Sequence, residues 1–469
     1  MTSAAPAILV NDIHSALNAT RVARLIEPAG LAALVGIVRA ARAAGAQLSI
    51  CGGRHAMGGQ QFAADAWLLD MRQHAAIHDF DRERGLITVD AGIQWPELIA
   101  ATSAARGPLA WGIRQKQTGA DRLTLGGALS ANIHGRGLRM PPIVADVEAF
   151  TLIDAHGEVR RCSRTENAEL FALAIGGYGL FGVIADVTLR LMPRVKVERR
   201  VEIITLEELV RVPEERDTRE WLFGDFQYSI DERSPDFLRR GVFSAYHCVA
   251  DDRPVPAGQR QLREDDWARL LHLAHTDRAR VFGEYSGYYL STHGQLYWSD
   301  THQLSTYLDH YHEALDRRFG ASHRASEMIT EIYVPRAALA PFMGRAAGQL
   351  RSGGVPVIYG TIRLIERDAE TFLAWAREPW ACIIFNLHVE HTEAGLAAAQ
   401  AAFRGLIDLA IGFGGSYYLT YHRWATRAQI EACHPRFREF LRLKREHDPA
   451  ELFTSEWHRH HRALFADEA

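Results

Sequence analysis

From Glu27 the chain reads EPAGLAALVGIVRAARAAG, apolar residues at helical spacing closed by Gly45, and the run AQLSIC that follows alternates until it stops at Gly52. This pattern predicts a helix feeding a strand that ends in a glycine turn. Residues 67–71 (WLLDM) and 86–93 (LITVDAGI) read as short strands, and 95–106 as a second amphipathic helix. Within 147–162 two β-rich runs flank Asp154-Ala155-His156-Gly157, a hairpin pattern. The stretch 170–192 closes in VIADVTLRLMPR, a strand stopped by Pro193. Short strands in irregular order with helices predict α+β organisation, not a regular βαβ ladder.

Beyond Arg194 the pattern changes. Residues 207–278 are rich in charge and carry PVPAG at 254–258, which predicts a crossing between domains or an excursion over the surface. Strand and helix then alternate: strands at 328–334, 356–365 and 382–391, helices at 337–350, 369–375 and 394–413. That order predicts a second sheet with helices over one face. The boundaries follow as 1–198, 199–420 and a closing segment 421–469.

Composition narrows the function classes. The 469 residues are 47% hydrophobic and 23% charged, and 53 Lys+Arg against 57 Asp+Glu leave a net charge of −4. Such a chain buries two or three cores, and without a basic block it is not built for nucleic acid. Cys51, Cys162, Cys248, Cys382 and Cys433 never form a CxxC pair, which fits a reducing cytoplasm. The N-terminus lacks the basic region of a secretory signal, and the longest uncharged run, 170–185, holds four glycines in 16 residues. No stable membrane span is expected from it. The 22 histidines are numerous, yet WHRHHR at 457–462 lacks an HxxxH or HExxH arrangement, so no metal site is expected. Oligomeric state is left open.

Three glycine clusters carry the candidate chemistry. Gly52-Gly53-Arg54-His55-Ala56-Met57-Gly58-Gly59-Gln60 follows a strand directly, a loop whose backbone N–H groups can turn toward one anion. It is neither a Walker A loop nor a strict GxGxxG. Gly126-Gly127-Ala128-Leu129-Ser130-Ala131-Asn132-Ile133-His134-Gly135 and Gly176-Gly177-Tyr178-Gly179-Leu180-Phe181-Gly182-Val183-Ile184 lie further on. Each reads either as an ordinary turn or as part of a wrap around an extended ligand such as a dinucleotide.

Together the three loops resemble the FAD-binding fold of the vanillyl-alcohol oxidase superfamily, or PCMH-type fold, in particular sugar-alcohol and aldonolactone oxidases, cytokinin dehydrogenase and decaprenylphosphoryl-ribose oxidase. The resemblance covers roughly residues 27–193 and returns in HDPAELF near the C-terminus, similar to the family's closing DPxxxF segment. It implies an α+β chain made of a PCMH-type FAD-binding domain and an α+β substrate cap. The implied cofactor set is Gly52 to Gly58, Gln60, Thr118, Gly126, Gly127, Ser130, Asn132, His134, Gly135, Gly177, Gly179, Gly182, Val183 and Ile184. GGRHAMGGQ is similar to the GRGHSxMGQ loop of cytokinin dehydrogenase, which puts His55 where relatives link a histidine covalently to the flavin. Arg54 and Ala56 depart from that pattern, and Asp121, Arg122 and Leu123 stand where doubly linked relatives carry a second, cysteine attachment. Gly126 falls where related enzymes control oxygen access. His134 matches a histidine near flavin and substrate, with a turn-capping role as the alternative.

The substrate side belongs to the cap. In CIIFNLHVEH a period of two puts Asn386, His388 and Glu390 on one strand face, either lining a pocket or solvated. Arg363 stands where sugar-alcohol oxidases place an arginine beside substrate. In GGSYYLTYHRWAT, Tyr418 keeps the tyrosine of decaprenylphosphoryl-ribose oxidase, while Tyr421 takes the place of its lysine; His422 or Arg423 is the candidate for the missing charge. Residues 283–300 are dense in aromatics, either cavity cover or β core. The resemblance implies oxidation of a CH–OH group of a small alcohol, sugar or lactone, with Tyr421, His388 and Glu390 as candidate bases in that order, Tyr418 beside them, and oxygen or another acceptor reoxidising the flavin. A carbon–carbon double-bond reductase on the same fold, or a flavin-binding protein without catalysis, are the alternatives.

Overall fold

The computed structural model describes residues 8–104, 110–212 and 219–466; the end of the predicted 95–106 helix and part of the charged 207–278 stretch fall outside them. Near the N-terminus β1 (Arg24–Ile26), β2 (Leu48–Cys51) and β3 (Trp67–Asp70) form a parallel sheet in the order β1-β3-β2, with α1 (Leu31–Ala43) crossing between the first two. Helix α1 buries Leu34, Val38 and Ala41, the stripe that the i, i+3/i+4 spacing sets up. β4 (Ile77–Asp81), β5 (Leu86–Asp90), α2 (Trp95–Ala104), α3 (Leu125–Ala131), β6 (Val147–Ile153), β7 (Val159–Ser163) and β8 (Val183–Arg190) follow. Their strands make a five-stranded antiparallel sheet ordered β7-β6-β8-β5-β4, and β6-β7 is the hairpin read from the sequence.

An eight-stranded sheet dominates the rest: β9 (Lys196–Thr205), β10 (Trp221–Tyr228), β11 (Arg240–Val249), β12 (Leu296–Trp298), β13 (Ala325–Pro335), β14 (Val357–Ile365), β15 (Trp380–Glu390) and β16 (Ser416–Tyr417), ordered β12-β9-β11-β10-β14-β15-β13-β16. Register decides what each face carries. Phe226 pairs with Ile362, Ile362 with Ile383 and Ile383 with Ile332, an apolar row in one core. Helices α7 (Leu339–Ser352) and α8 (Glu393–Gly412) belong to this apolar side, burying Phe342, Met343, Ala346, Phe403, Leu406 and Ile407 in the same core. By length and composition α8 is apolar enough to cross a membrane, but its Phe403, Leu406 and Ile407 stripe packs into this core. The opposite face carries Thr361, Ile384 and Glu331 in one row and Tyr359, Asn386 and Ile329 in the next. It is the polar face, and α4 (Glu264–Thr276) and α5 (Arg278–Leu290) lie beside it, sharing a cavity with it. α6 (Tyr311–Phe319) precedes β13.

Two expectations need correction, and one alternative is decided. The charged stretch 207–278 is no surface excursion: β10 and β11 are two central strands of the large sheet. Residues 369–375 form turns, not a helix, because the Asp368 carboxylate accepts from the backbone of Glu370 and Thr371 and closes the chain locally. Of the two readings of the aromatic stretch 283–300, β core gives way to cavity cover: it runs from the end of α5 into the short edge strand β12, and its Tyr285, Tyr288, Tyr289 and Tyr297 line the cavity.

The C-terminal segment returns to the small parallel sheet. Asp448 accepts from Leu452 N (3.0 Å) and Phe453 N (2.8 Å), pinning the DPAELF turn, and Leu48 N donates to Leu452 O (2.6 Å) while Thr454 N donates to Leu48 O (2.9 Å). Helices α9 (Phe437–His447) and α10 (Glu456–Leu464) flank this turn. On α10, His461 Nδ1 lies 2.7 Å from Trp457 O and its ring packs on Trp457 (4.2 Å), so Trp457, His458 and His461 of the WHRHHR run face a core while His460 and Arg462 are exposed.

Candidate active site

A cavity of about 910 Å³ lies between the three glycine loops, the polar face of the large sheet and α4–α5. The first loop leaves β2 and is held open by close packing: a Cβ on Gly53 would stand 2.1 Å from Arg122 O and 2.8 Å from His55 Cδ2. Arg54 adopts φ 60°, the left-handed conformation that favours glycine. Its Nη2 donates to the fully buried Asp70 (2.9 Å), which Arg72 also binds (2.7 Å), so Arg54 shares its carboxylate and leaves Nε buried without a partner. At Gly182, φ is 149° and a Cβ would meet Ile153 O at 2.5 Å.

His55 is the focus of that loop. His14 Nε2 lies 2.8 Å from His55 Nδ1, and Tyr307 OH lies 3.0 Å from His14 Nδ1, so the N-terminal segment and a cap loop converge on one ring. Burial, then the neighbouring His14, pushes His55 down to about 3, and burial brings His14 down to about 4. Both rings are therefore neutral near pH 7. His55 Nε2 is buried in the cavity wall without a hydrogen-bond partner. That orphaned nitrogen and the glycine cradle fit a bound dinucleotide with a reactive or closely packed end at His55. At the expected second-linkage position Asp121 instead pairs with the buried Lys116 (2.7 Å) and accepts from Ser305 N and Oγ.

The cavity is lined by Gly52, Gly53, Arg54, His55, Ala56 and Met57 of the first loop, with Gln60 and Thr118. Gly126, Gly127, Ser130 and His134 contribute from the second loop, and Gly179, Gly182 and Ile184 from the third. Other predicted positions support the walls from outside. Gly58 N donates to Thr420 O (3.1 Å), Gly135 N to Gln115 Oε1 (3.1 Å), and Gly177 is closed in by Leu173 O. Val183 is fully buried on β8. Asn132 is left-handed at the end of α3 (φ 49°), and its side chain binds Asp368 (2.9 Å) and Val144 N (3.3 Å), a scaffold contact.

On the cap side, Arg363, Asn386, Tyr418 and Tyr421 line the cavity. Arg363 Nη2 donates to Thr118 Oγ1, joining cap strand to FAD-side loop, while Arg363 Nε, Thr361 Oγ1 and Asn386 Oδ1 are buried without partners. Tyr418 OH donates to Ala131 O. Glu390 is exposed beyond the last lining residue of β15 and is corrected out of the site. His388 turns Nδ1 to Glu327 (3.2 Å), outside the lining. Burial, then the adjacent Glu331 charge, raises the Tyr421 phenol well above its ordinary value, which suits a hydrogen-bond donor and disfavours the expected base. His422, packed among Tyr417, Phe403 and Trp424, is pushed down to about 3 by burial and carries no charge to replace a lysine.

Sequence reasoning missed Glu331. Fully buried on β13, it accepts from Tyr333 OH and lies 2.9 Å from His134 Nε2, while His134 Nδ1 faces Gly135 O at 3.2 Å. Burial alone would raise the Glu331 carboxyl, but His134 and Tyr333 hold it below the usual range, so it is ionised. Its signal was present in the strand read at 328–334: Glu327, Ile329 and Glu331 share one face by the period of two. Two arginines, Arg136 and Arg199, and one carboxylate, Asp225, also line the cavity. Arg136 Nη1 lies 3.5 Å from Asp225, and Arg199 is bound by Tyr246 OH (2.8 Å) and Thr292 (3.0 Å) with Tyr246, Tyr289 and Tyr297 rings 5.1–5.2 Å away.

Sequence comparisons point to the same cofactor. Residues 22–163 match a family model described as an FAD binding domain. An uncharacterized oxidoreductase of the Rhodococcoides fascians fasciation locus is 34% identical over 31% of this chain and 32% of its own length. L-gulonolactone oxidase of Bos taurus is 27% identical over 37% and 38%. Decaprenylphosphoryl-beta-D-ribose oxidase of Mycolicibacterium smegmatis is 24% identical over 83% of both chains. The chain thus spans about a third of the length of the first two relatives and most of the third. Residues 22–163 thus carry an FAD binding domain, and the chain is similar to FAD-linked oxidases and dehydrogenases.

Proposed function

We propose that this protein is an FAD-linked oxidase or dehydrogenase that oxidises a CH–OH group of a small polar substrate held between the glycine loops and the cap sheet. Bound FAD supplies the acceptor for the hydride leaving the carbinol carbon. The observation that carries the reading is the buried carboxyl of Glu331 in the cavity wall, 2.9 Å from His134 Nε2 and sharing the lining with Tyr421. Glu331 takes the hydroxyl proton, and His134 stabilises the carboxylate before the proton arrives. Tyr421 and Arg363 donate hydrogen bonds that orient the substrate oxygen, and Thr361 and Asn386 offer their unpartnered oxygens to further hydroxyls.

Arg136 and Arg199 share the cavity lining with the single carboxylate of Asp225, which only Arg136 meets, so substrates carrying a carboxylate or phosphate beside the reacting alcohol fit best. For the attachment of the cofactor, His55 serves through Nε2. When His55 Nδ1–H donates to His14 and His14 Nδ1–H to Tyr307, Nε2 presents a free lone pair.

Pure protein tests the whole reading. Yellow colour should survive acid precipitation and be lost from the precipitate in His55→Ala, and an anaerobic panel of hydroxy acids, sugars and sugar phosphates should contain compounds that bleach the flavin. Bleaching by NADPH alone, with no alcohol active, would overturn the assignment in favour of a reductase.

A further inference from the structure

A second cluster sits on the same strand face, four residues from Glu331. Glu327 of β13 is 4% exposed and is met by three imidazoles from separate elements. His275 Nε2 from α4 is 3.0 Å from its Oε1, His388 Nδ1 from β15 is 3.2 Å from the same oxygen, and His312 Nδ1 from α6 is 2.7 Å from Oε2. One ligand atom each from His275, Glu327 and His388 falls within 4.8 Å of the others. Donors about 2.0–2.2 Å from a shared tetrahedral ion stand roughly 3.3–3.5 Å apart, close to the spacing here.

The direction of His275 separates a metal site from a simple hydrogen-bonded cluster. Despite the 3.0 Å approach, His275 Nε2 is too poorly aligned with the Glu327 oxygen to form a well-directed hydrogen bond. Its ring axis therefore misses the oxygen, as it does when nitrogen and oxygen aim at a common third point. The His275 and His388 rings stand nearly perpendicular at 4.9 Å, so each presents a nitrogen without stacking on the other. His312 occupies the other carboxylate oxygen, the outer contact that fixes a ligating carboxylate.

We propose that His275, His388 and Glu327 bind one divalent first-row transition cation, of the zinc, cobalt or nickel kind, with His312 orienting Glu327. Two imidazoles and one carboxylate disfavour calcium and magnesium, which take oxygen donors, and the lack of a thiolate disfavours copper(I). The ion pins α4, a wall of the cavity, to the two sheet strands β13 and β15. His388 is the most exposed ligand, which gives the ion its entry. None of this depends on the oxidase reading, since the donors lie outside the proposed proton-transfer group.

Chelator-treated full-length protein carrying its FAD is titrated with cobalt(II), following ligand-field absorption beyond the flavin band, and with zinc(II) by calorimetry. The expected result is one strong site per chain, with affinity lowered about tenfold or more in His388→Ala and in Glu327→Gln. His388→Ala is the anchor variant because its side chain is 28% exposed and its loss leaves the core intact, as thermal melting of the variant checks. No cobalt band in the parent protein, or equal affinity and stoichiometry in parent and His388→Ala, overturns the proposal, the latter by locating the ion at other histidines.

Discussion

Replacing Glu331 by Gln isolates the charge of the proposed base, because the amide keeps the side chain's shape. The carboxylate accepts from Tyr333 OH and lies 2.9 Å from His134 Nε2. Both contacts fall on Oε1, so an amide whose oxygen takes that place keeps them, but as neutral bonds worth about 0.5–1.5 kcal/mol each in place of about 1.5–3 for bonds to a charged group. The ground-state cost is then about 2–3 kcal/mol of stability. Catalysis loses the proton acceptor as well. At about 1.4 kcal/mol per decade, loss of about 3–4 kcal/mol of transition-state stabilisation slows flavin reduction roughly 200- to 1000-fold. Anaerobic stopped-flow bleaching with the best substrate of the panel measures it, with melting curves to show that Glu331→Gln is folded and flavin spectra to show that it is loaded. The pH profile supplies the second readout: the acidic limb of the reduction rate belongs to Glu331 and should vanish in the variant. A folded, FAD-loaded Glu331→Gln that reduces its flavin at the parental rate with the parental pH profile refutes the assignment.

Gly53→Ala forces its Cβ toward Arg122 O at 2.1 Å, so the flavin-to-protein absorbance ratio of the purified variant should fall severalfold. Parental loading would show that the loop yields. Arg199→Met removes one of two cap cations; the preference for anionic over neutral substrates, read as a ratio of kcat/KM, should drop about tenfold, or about 1.4 kcal/mol, and an unchanged ratio places the anionic group elsewhere. Acid should destabilise the fold through His422, His434 and His461, each buried and pushed down to about 3. Unfolded, these rings protonate near the ordinary value of about 6.5, so the unfolded state binds more protons below it. Stability is complete above that pH and declines as pH falls toward 3, by up to about 1.4 kcal/mol per group per pH unit. Thermal melts between pH 7 and 5 check this, and a flat Tm would refute it.

What could be read from the sequence was what is local. Each glycine loop is contiguous, so the cradle around His55 was visible in one stretch of residues. The strand 382–391 was visible too, and its period of two placed Asn386 and His388 on the polar face. Charge density in 207–278 hid β10 and β11 because nearly all of the charge lies in the sequence around them: within the two strands only Asp225 and Arg240 are charged, and an average over the stretch loses that contrast. The turns at 369–375 were invisible for another reason. Asp368 is held by Asn132, which lies more than two hundred positions earlier, and no window along the chain contains both. Glu331 and its partner His134 are likewise distant in sequence; only the register of β13 against β15 and the return of the second glycine loop bring them together.

Four of the 22 histidines, His134, His275, His312 and His388, answer to that polar face. Glu327 and Glu331 point the same way along β13, roughly 13 Å apart at about 3.3 Å per residue, and both are almost wholly buried. A buried carboxylate without partners costs several kcal/mol. Lysine or arginine beside each would neutralise it but lock the site into a permanent ion pair, closed to a proton and to a cation. Imidazole can set a nitrogen against a carboxylate without carrying a fixed charge. His134 lies against Glu331 in this way, and His275, His312 and His388 surround Glu327 at 2.7–3.2 Å. The same chemistry thus supports a proton acceptor at one end of the strand and a cation site at the other. What separates the two roles is the number of imidazole rings around each carboxylate: Glu331 has one, together with a tyrosine hydroxyl, and Glu327 has three.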